Sequence, residues 1–353
     1  MTFIKVLIFT LICLAGTVAL AAYGYQWRLS QPLLTETTTT ADIPRGSSLN
    51  GFLNRLQRDG LLGQGHAGTI GRYTARIYAQ QIGLDKRLPA GEYRIYADDT
   101  LRMMLDRVAA GEVIQRSITF VEGWTFRQWR EHLANNEHLL HTLSEQTDAD
   151  IMSSLDREGV HPEGWFAPET YVFERGTTDI AVLRRALHRQ EALLEAAWQQ
   201  RQPSLPLNDA YEALILASII ERETGAGHER QKIAGVFVNR LRLGMRLQTD
   251  PTVIYGMGER YDGRIRRSDL REATPYNTYV IPALPPTPIA MPGHAAIQAA
   301  VDPLETDKLY FVAKGDGTHQ FSRTLRDHNA AVRRYQLQRR ADYRSSPAPQ
   351  VVP

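Results

Sequence analysis

Between Val6 and Ala22 the chain carries no charged residue, and Tyr23, Tyr25 and Trp27 follow directly. A helix that crosses a bilayer needs about 20 predominantly apolar residues, and amphipathic aromatics gather where such a helix leaves the lipid. Two readings meet this pattern. One is a retained anchor over residues 1–28. The other is a cleaved signal peptide, for which Ala19-Leu20-Ala21 has the small-x-small form of a cleavage site. The apolar run is long for a signal peptide, so the expectation is an anchor. Lys5 and the start amine predict a cytoplasmic N-terminus, which places everything after residue 28 beyond the membrane.

Over its full 353 residues the chain is 43% hydrophobic and 23% charged, ordinary for a globular protein with about two domains. The only cysteine is Cys13, which excludes an intramolecular disulfide and a cysteine-based zinc site. Bulky Ile12 before it does not fit a lipoprotein cysteine. The net charge is +2 with no polybasic block, so no nucleic-acid partner is expected.

Residues 29–43, "LSQPLLTETTTTADI", are predicted to be a polar tether. A small unit is expected over 44–115. Its first helix starts near Ser47 or Ser48 and carries Leu49, Phe52, Leu53 and Leu56 on one face. A strand is expected over 91–97, then a helix stopped by Gly111. A larger unit is expected over 116–340, with long helices over 179–201 and 208–223 and another from Glu229 to a stop at Gly244. A proline-rich coil covers 282–293, a hairpin turns at Gly315-Asp316-Gly317, and a helix closes the unit. Residues 341–353 have the composition of a disordered tail.

The stretch "ALILASIIERET" ends an apolar helix with two glutamates. At ~100° per residue, Leu216, Ile219, Ile220 and Glu223 share a stripe, while Glu221 lies ~160° away. Glu223 is therefore the carboxyl predicted to lose water, which raises its pKa and keeps a proton available near neutral pH. The bland reading pairs Glu223 with Arg222 or Arg230 on a wet surface, and Glu221 is assigned a structural or orienting role. Asp250 before Pro251 reads as a helix cap followed by proline in the first turn. The functional reading makes Gln248, Asp250 and Tyr255 walls of a groove. Tyr276 and Tyr279 suit stacking on sugar faces and Asn277 suits bonding to hydroxyls, against the plain reading of a proline-rich loop covering the core. His319 and His328 lie at no metal-site spacing, so neither a metal nor a cofactor is expected.

Taken together, "ASIIERET", "FVNRLRLGMRLQTDPTVIYGMG", "YNTY", "LPPTPIAMPG", "YFVAKGDGTHQF" and His328-Asn329 stand in the order seen in the YceG-like family, which the chain resembles. "VEGW" at 121–124 and "EGWFAPETYVF" at 163–173 add to the likeness. Departures are small: Glu169 stands where many relatives have Asp, and Thr287 and Met291 where Gly and Asn are frequent. The resemblance implies an α+β protein: an N-terminal transmembrane helix, a small LysM-like domain over 44–115 and a larger mixed α+β catalytic domain over 116–340. It implies a bacterial inner-membrane protein with a periplasmic catalytic domain. Its activity would be lytic cleavage of the β-1,4 bond between MurNAc and GlcNAc within peptidoglycan strands, ending their elongation. Glycan strands are the implied substrate and peptidoglycan synthases the implied partners.

The family's catalytic acid corresponds to Glu223. The family's groove implies substrate contacts from Gln248, Asp250, Tyr255, Tyr276, Asn277 and Phe321. Two other classes remain open on the sequence. A non-catalytic murein-binding scaffold would not need Glu223. A lysozyme-type hydrolase would need a second carboxylate roughly 5 to 9.5 Å from it, for which Asp250 and Glu169 are the candidates.

Overall fold

The apolar N-terminal run is one continuous helix, α1 (Thr2–Ser30), in a computed structural model that describes residues 2–33, 37–338 and 344. Within Phe3–Ser30 an 18-residue window has mean hydropathy 2.4 and lies wholly unburied, which fits a single-pass membrane anchor. The chain divides into two units, Met1–Arg116 with Val172–Arg175, and Ser117–Tyr171 with Gly176–Pro353.

In the first unit the predicted tether over 29–43 is corrected at both ends. Leu29 and Leu33 are buried in the core, and Thr39–Ile43 is a strand, β1. The threonines there are β-branched and Ala41 and Ile43 alternate inward, a strand pattern rather than a linker. Helices α2 (Leu49–Arg58) and α3 (Gly65–Gln81) lead to β2 (Gly91–Ile95), which pairs antiparallel with β1 from Thr39 opposite Ile95 to Ile43 opposite Gly91. Then come α4 (Leu101–Ala110), capped by Thr100 and ended by Gly111 at φ 70°, and β3 (Gln115–Thr119), whose residues from Ser117 on belong to the second unit. The order β1-α2-α3-β2-α4 encloses Phe52, Leu53, Leu56, Tyr93, Leu101 and Leu105.

Among the described residues of this unit two acids are buried, and both are paired. Glu92 meets Arg116 at 2.5 Å and Arg175 at 3.0 Å. Asp99 takes both terminal nitrogens of Arg107, at 2.5 and 2.9 Å, and the Tyr96 N–H. Burial works to raise their pKa values, and the guanidinium bonds outweigh it, so both lie below the usual carboxylate range.

The second unit holds α5 (Phe126–Ala134), α6 (Asp148–Ser154), β4 (Thr170–Glu174), α7 (Asp179–Gln199), α8 (Ala210–Glu223), α9 (Arg230–Arg242), α10 (Asp250–Met257), α11 (His294–Val301), β5 (Tyr310–Ala313), β6 (His319–Ser322) and α12 (Leu325–Val332). β3 pairs with β4, and β5 with β6 as the expected antiparallel hairpin. Val172–Arg175 at the end of β4 falls to the first unit and not to the larger unit expected over 116–340. The predicted closing helix is shorter than expected: after Val332 the backbone widens into a π turn over Arg333–Leu337. The stretch 341–353, expected to be a disordered tail, lies outside the described residues apart from Arg344.

The core of this unit is α8. Every residue from Ala213 to Ile220 is buried, which suits a helix apolar on all sides and packed all round. α11, α7, α9 and α10 surround it. Such packing fixes where the end of α8 points.

Candidate active site

At the end of α8 the two glutamates part company. Glu221 is held on both oxygens: the Gly293 N–H donates to one at 2.9 Å and Arg230 reaches the other at 3.2 Å. Gly293 begins α11, and a Cβ placed there would come 1.9 Å from a carboxyl oxygen of Glu122. A side chain there would require Glu122 to move aside. Glu221 thus ties the end of α8 to the start of α11, the orienting role expected of it.

Glu223 is half-buried, and the Thr249 hydroxyl donates to one of its oxygens. Burial pushes the carboxyl up to about 7, with the negative charge of Asp250 adding to the rise and the Thr249 bond and Arg240 opposing it. The bland alternative, an ion pair with Arg222 or Arg230, is not what these arginines do. Arg222 donates to the Gly123 carbonyl, and Arg230 serves Glu221 and Glu122.

Thr249 is itself fixed. Its N–H donates to the Thr278 hydroxyl at 3.0 Å, and the Gln248 N–H to the Thr278 carbonyl at 3.1 Å. Gln248 adopts φ 52°, uncommon for a residue with a side chain. Arg240 is buried and gives its N–H groups to the carbonyls of Leu309, Arg246 and Leu247. It lends positive potential to the site while remaining tied to backbone.

The predicted cap at Asp250 is corrected. Thr249 occupies the cap position without a side-chain cap bond, Asp250 is the first helical residue, and Gly258 ends α10. The carboxylate of Asp250 instead accepts the Tyr279 hydroxyl at 2.6 Å. Gln248 and Asp250 are both exposed, next to Glu223 through Thr249.

Tyr255 and Tyr276 meet edge to face at 4.9 Å and both line a cavity of about 820 Å³. The Tyr276 hydroxyl bonds Thr287 of the proline-rich coil at 2.9 Å. Asn277 is corrected from a sugar contact to an internal clip. It is buried, its amide donates to the carbonyls of Asp269 and Glu272, and its oxygen accepts the Tyr279 N–H. Phe321 sits on β6 and packs on Phe311 and His319. That hairpin is pinned by Glu229, which takes both the N–H and the ring of His319.

Of the acids that line the cavity, one is buried, and nothing in the sequence marks it. Glu163 is buried, accepts the Phe126 N–H at 2.9 Å and the Tyr255 hydroxyl at 3.0 Å, and burial pushes its pKa up to about 7. Glu169, the other candidate second carboxylate, faces outward and pairs with Arg189 at 3.0 Å.

The sequence profile of the YceG-like family matches residues 41–334. The chain is 29% identical over 333 residues to the endolytic murein transglycosylase of Bacillus subtilis (strain 168), covering 89% of this chain and 90% of that one. It is 26% identical to the endolytic murein transglycosylase of Streptococcus pneumoniae (strain D39), over 88% of this chain and 61% of that longer protein. A crystal structure of a putative YceG-like protein from Listeria monocytogenes superposes with a TM-score of 0.50 at 27% identity, covering 84% of this chain and 99% of that one.

Proposed function

The chain belongs to the YceG-like family, and on that footing we propose that it is an endolytic lytic transglycosylase that cuts peptidoglycan strands between MurNAc and GlcNAc. The observation that carries this reading is Glu223: a carboxyl whose pKa burial pushes up to about 7, at the packed end of α8, beside exposed polar groups. Glu223 gives its proton to the glycosidic oxygen as the bond to C1 of MurNAc breaks, and GlcNAc leaves with a free 4-hydroxyl. The C6 hydroxyl of the same MurNAc attacks C1. The Glu223 carboxylate takes the proton from that hydroxyl and is restored as the acid. No water is consumed and the new end is 1,6-anhydro-MurNAc. An internal nucleophile is effective because its local concentration reaches ~10⁵ M or more when well oriented, so one carboxyl suffices where a hydrolase needs two.

Gln248, Asp250, Tyr255 and Tyr276 are the side chains best placed to hold the strand. Phe321 belongs to this reading through the hairpin beside α9. The outward pairing of Glu169 with Arg189 and the bond of Asp250 to Tyr279 speak against a lysozyme-type pair. In the cell, α1 anchors the protein in the inner membrane with its N-terminus cytoplasmic and the catalytic unit periplasmic. The unit built of β1, α2, α3 and β2 is the LysM-like part, and cutting nascent strands near their synthases ends elongation.

The test uses the full chain in detergent, because a cut at residue 29 would remove a buried core residue. Peptidoglycan digested by it and by Glu223→Gln is analysed by mass spectrometry. Internal fragments ending in 1,6-anhydro-MurNAc, absent with the variant, are expected. Reducing MurNAc ends would mean hydrolysis, and no cleavage of nascent or mature strands would leave a binding scaffold.

A further inference from the structure

Outside α1, the first unit exposes an apolar stripe that its own fold does not use. On α3, Ile70, Tyr73 and Ile77 are 59%, 55% and 48% exposed, while Thr74, Ala75, Tyr78 and Ala79 on the other side are buried. At ~100° per residue, Ile70, Tyr73, Ile77 and Gln81 fall within an arc of ~80°. Gln81 is the link to the anchor, since its side-chain oxygen accepts the Tyr25 hydroxyl of α1 at 2.8 Å. The stripe therefore shares a face with the residue that touches the aromatic end of α1.

Two further bonds hold that end of α1 in register with the unit. Arg28 donates to the Leu62 carbonyl, just before α3, at 2.8 Å, and Arg102 on α4 donates to Gln26 at 2.7 Å. Leu29 closes the contact inside the core. α3 is thus fixed to the turns of α1 that carry Tyr23, Tyr25 and Trp27, the level at which a spanning helix leaves the hydrocarbon. The composition of α3 agrees: it carries Arg72 and Arg76 and no acidic residue. A helix with an apolar stripe flanked by cations is the kind that lies in a headgroup layer.

We propose that α3 rests on the membrane crossed by α1, with Ile70, Tyr73 and Ile77 in the boundary between headgroups and acyl chains and Arg76 toward lipid phosphate. The occupant of the stripe is the phospholipid surface, continuous with the apolar surface of α1. This inference rests on reading α1 as a retained anchor, and its test separates the two.

The full chain is reconstituted in vesicles of phosphatidylethanolamine and phosphatidylglycerol. One sample carries an environment-sensitive fluorophore on the native Cys13 of α1. A second carries it on Tyr73→Cys in a Cys13→Ser chain. Nitroxide lipids quench by depth. The Cys13 label is expected to be quenched by a nitroxide deep in the acyl chain. The label at 73 is expected to be quenched by one near the headgroup, about fivefold more than the same label in a chain that also carries Ile70→Ser and Ile77→Ser. If the label at 73 ignores lipid nitroxide and is open to aqueous iodide while Cys13 is quenched, α3 does not touch lipid and the inference falls. If Cys13 is not quenched either, the anchor reading itself has failed.

Discussion

Two acids in each unit show opposite ways of holding a carboxyl group. In the first, Glu92 and Asp99 are each matched to arginine and stay charged, below the usual range. In the second, Glu163 and Glu223 receive hydroxyl and backbone donors without a contacting cation, and burial pushes both up to about 7. Glu221 is raised as well, by burial first, although Arg230 touches it. A matched charge fastens structure, whereas an unmatched one keeps a proton that chemistry can use. Glu163 limits the lesson, because a raised acid can also be one that only holds a tyrosine in place. What distinguishes Glu223 is its place on the last turn of α8, next to the exposed Gln248 and Asp250 through Thr249.

The largest expected effect tests that distinction. Glu223→Gln should lower the rate of anhydro-end formation by ~10³-fold or more, the scale of losing a general acid and base together, with unchanged thermal unfolding. Glu92→Leu should do the reverse. It leaves two arginines without their acid and should cost the first unit about 2 kcal/mol, less than the about 3–5 of a fully buried pair because Arg175 is half-exposed. Chemical unfolding would measure it, and the cleavage rate of the folded fraction should hold.

Acidity sharpens the contrast. Glu92 and Asp99 are depressed in the folded state, so their contribution is present above the unfolded pKa of about 4 and is lost as pH falls through the lower folded values. Glu163 and Glu223 are raised, so between about 4.5 and 7 the folded state binds more protons and the second unit should gain stability as pH falls. Hydrogen exchange read separately for each unit across pH 3 to 8 should show opposite slopes. Activity should hold on the acid side and fall about tenfold per unit above pH 7, because Glu223 must begin protonated. The smallest effect is expected at Glu169→Gln, an exposed pair worth under about 0.5 kcal/mol. If that variant abolished cleavage, the two-carboxyl hydrolase would have to be reconsidered.

Glu223 was legible in the sequence because helical spacing alone put it on the apolar stripe of α8, and the helices and the β5–β6 hairpin were marked by periodicity and glycine. What stayed hidden depended on contacts distant in sequence or on single backbone angles. Glu163 lies in a loop without periodicity, and its partner Tyr255 is 92 residues away. Asp250 read as a cap because Asp-Pro commonly is one, and only the extended backbone of Thr249 shifts the helix start by a residue. Asn277 looked free because nothing local shows that Asp269 and Glu272 turn their carbonyls toward it. α3 was missed because its glycines argue against a helix. They serve packing instead, since a Cβ at Gly68 or Gly71 would meet the Gly63 or Leu62 carbonyl at 2.2 or 2.5 Å.

The clasp between Glu221 and the Gly293 N–H has a consequence in time. An amide bonded this way exchanges its hydrogen with water only when the bond opens, and here that means the Glu221 side chain letting go of the start of α11. The exchange rate of that one amide is therefore a clock for how often the mount of Glu223 comes undone.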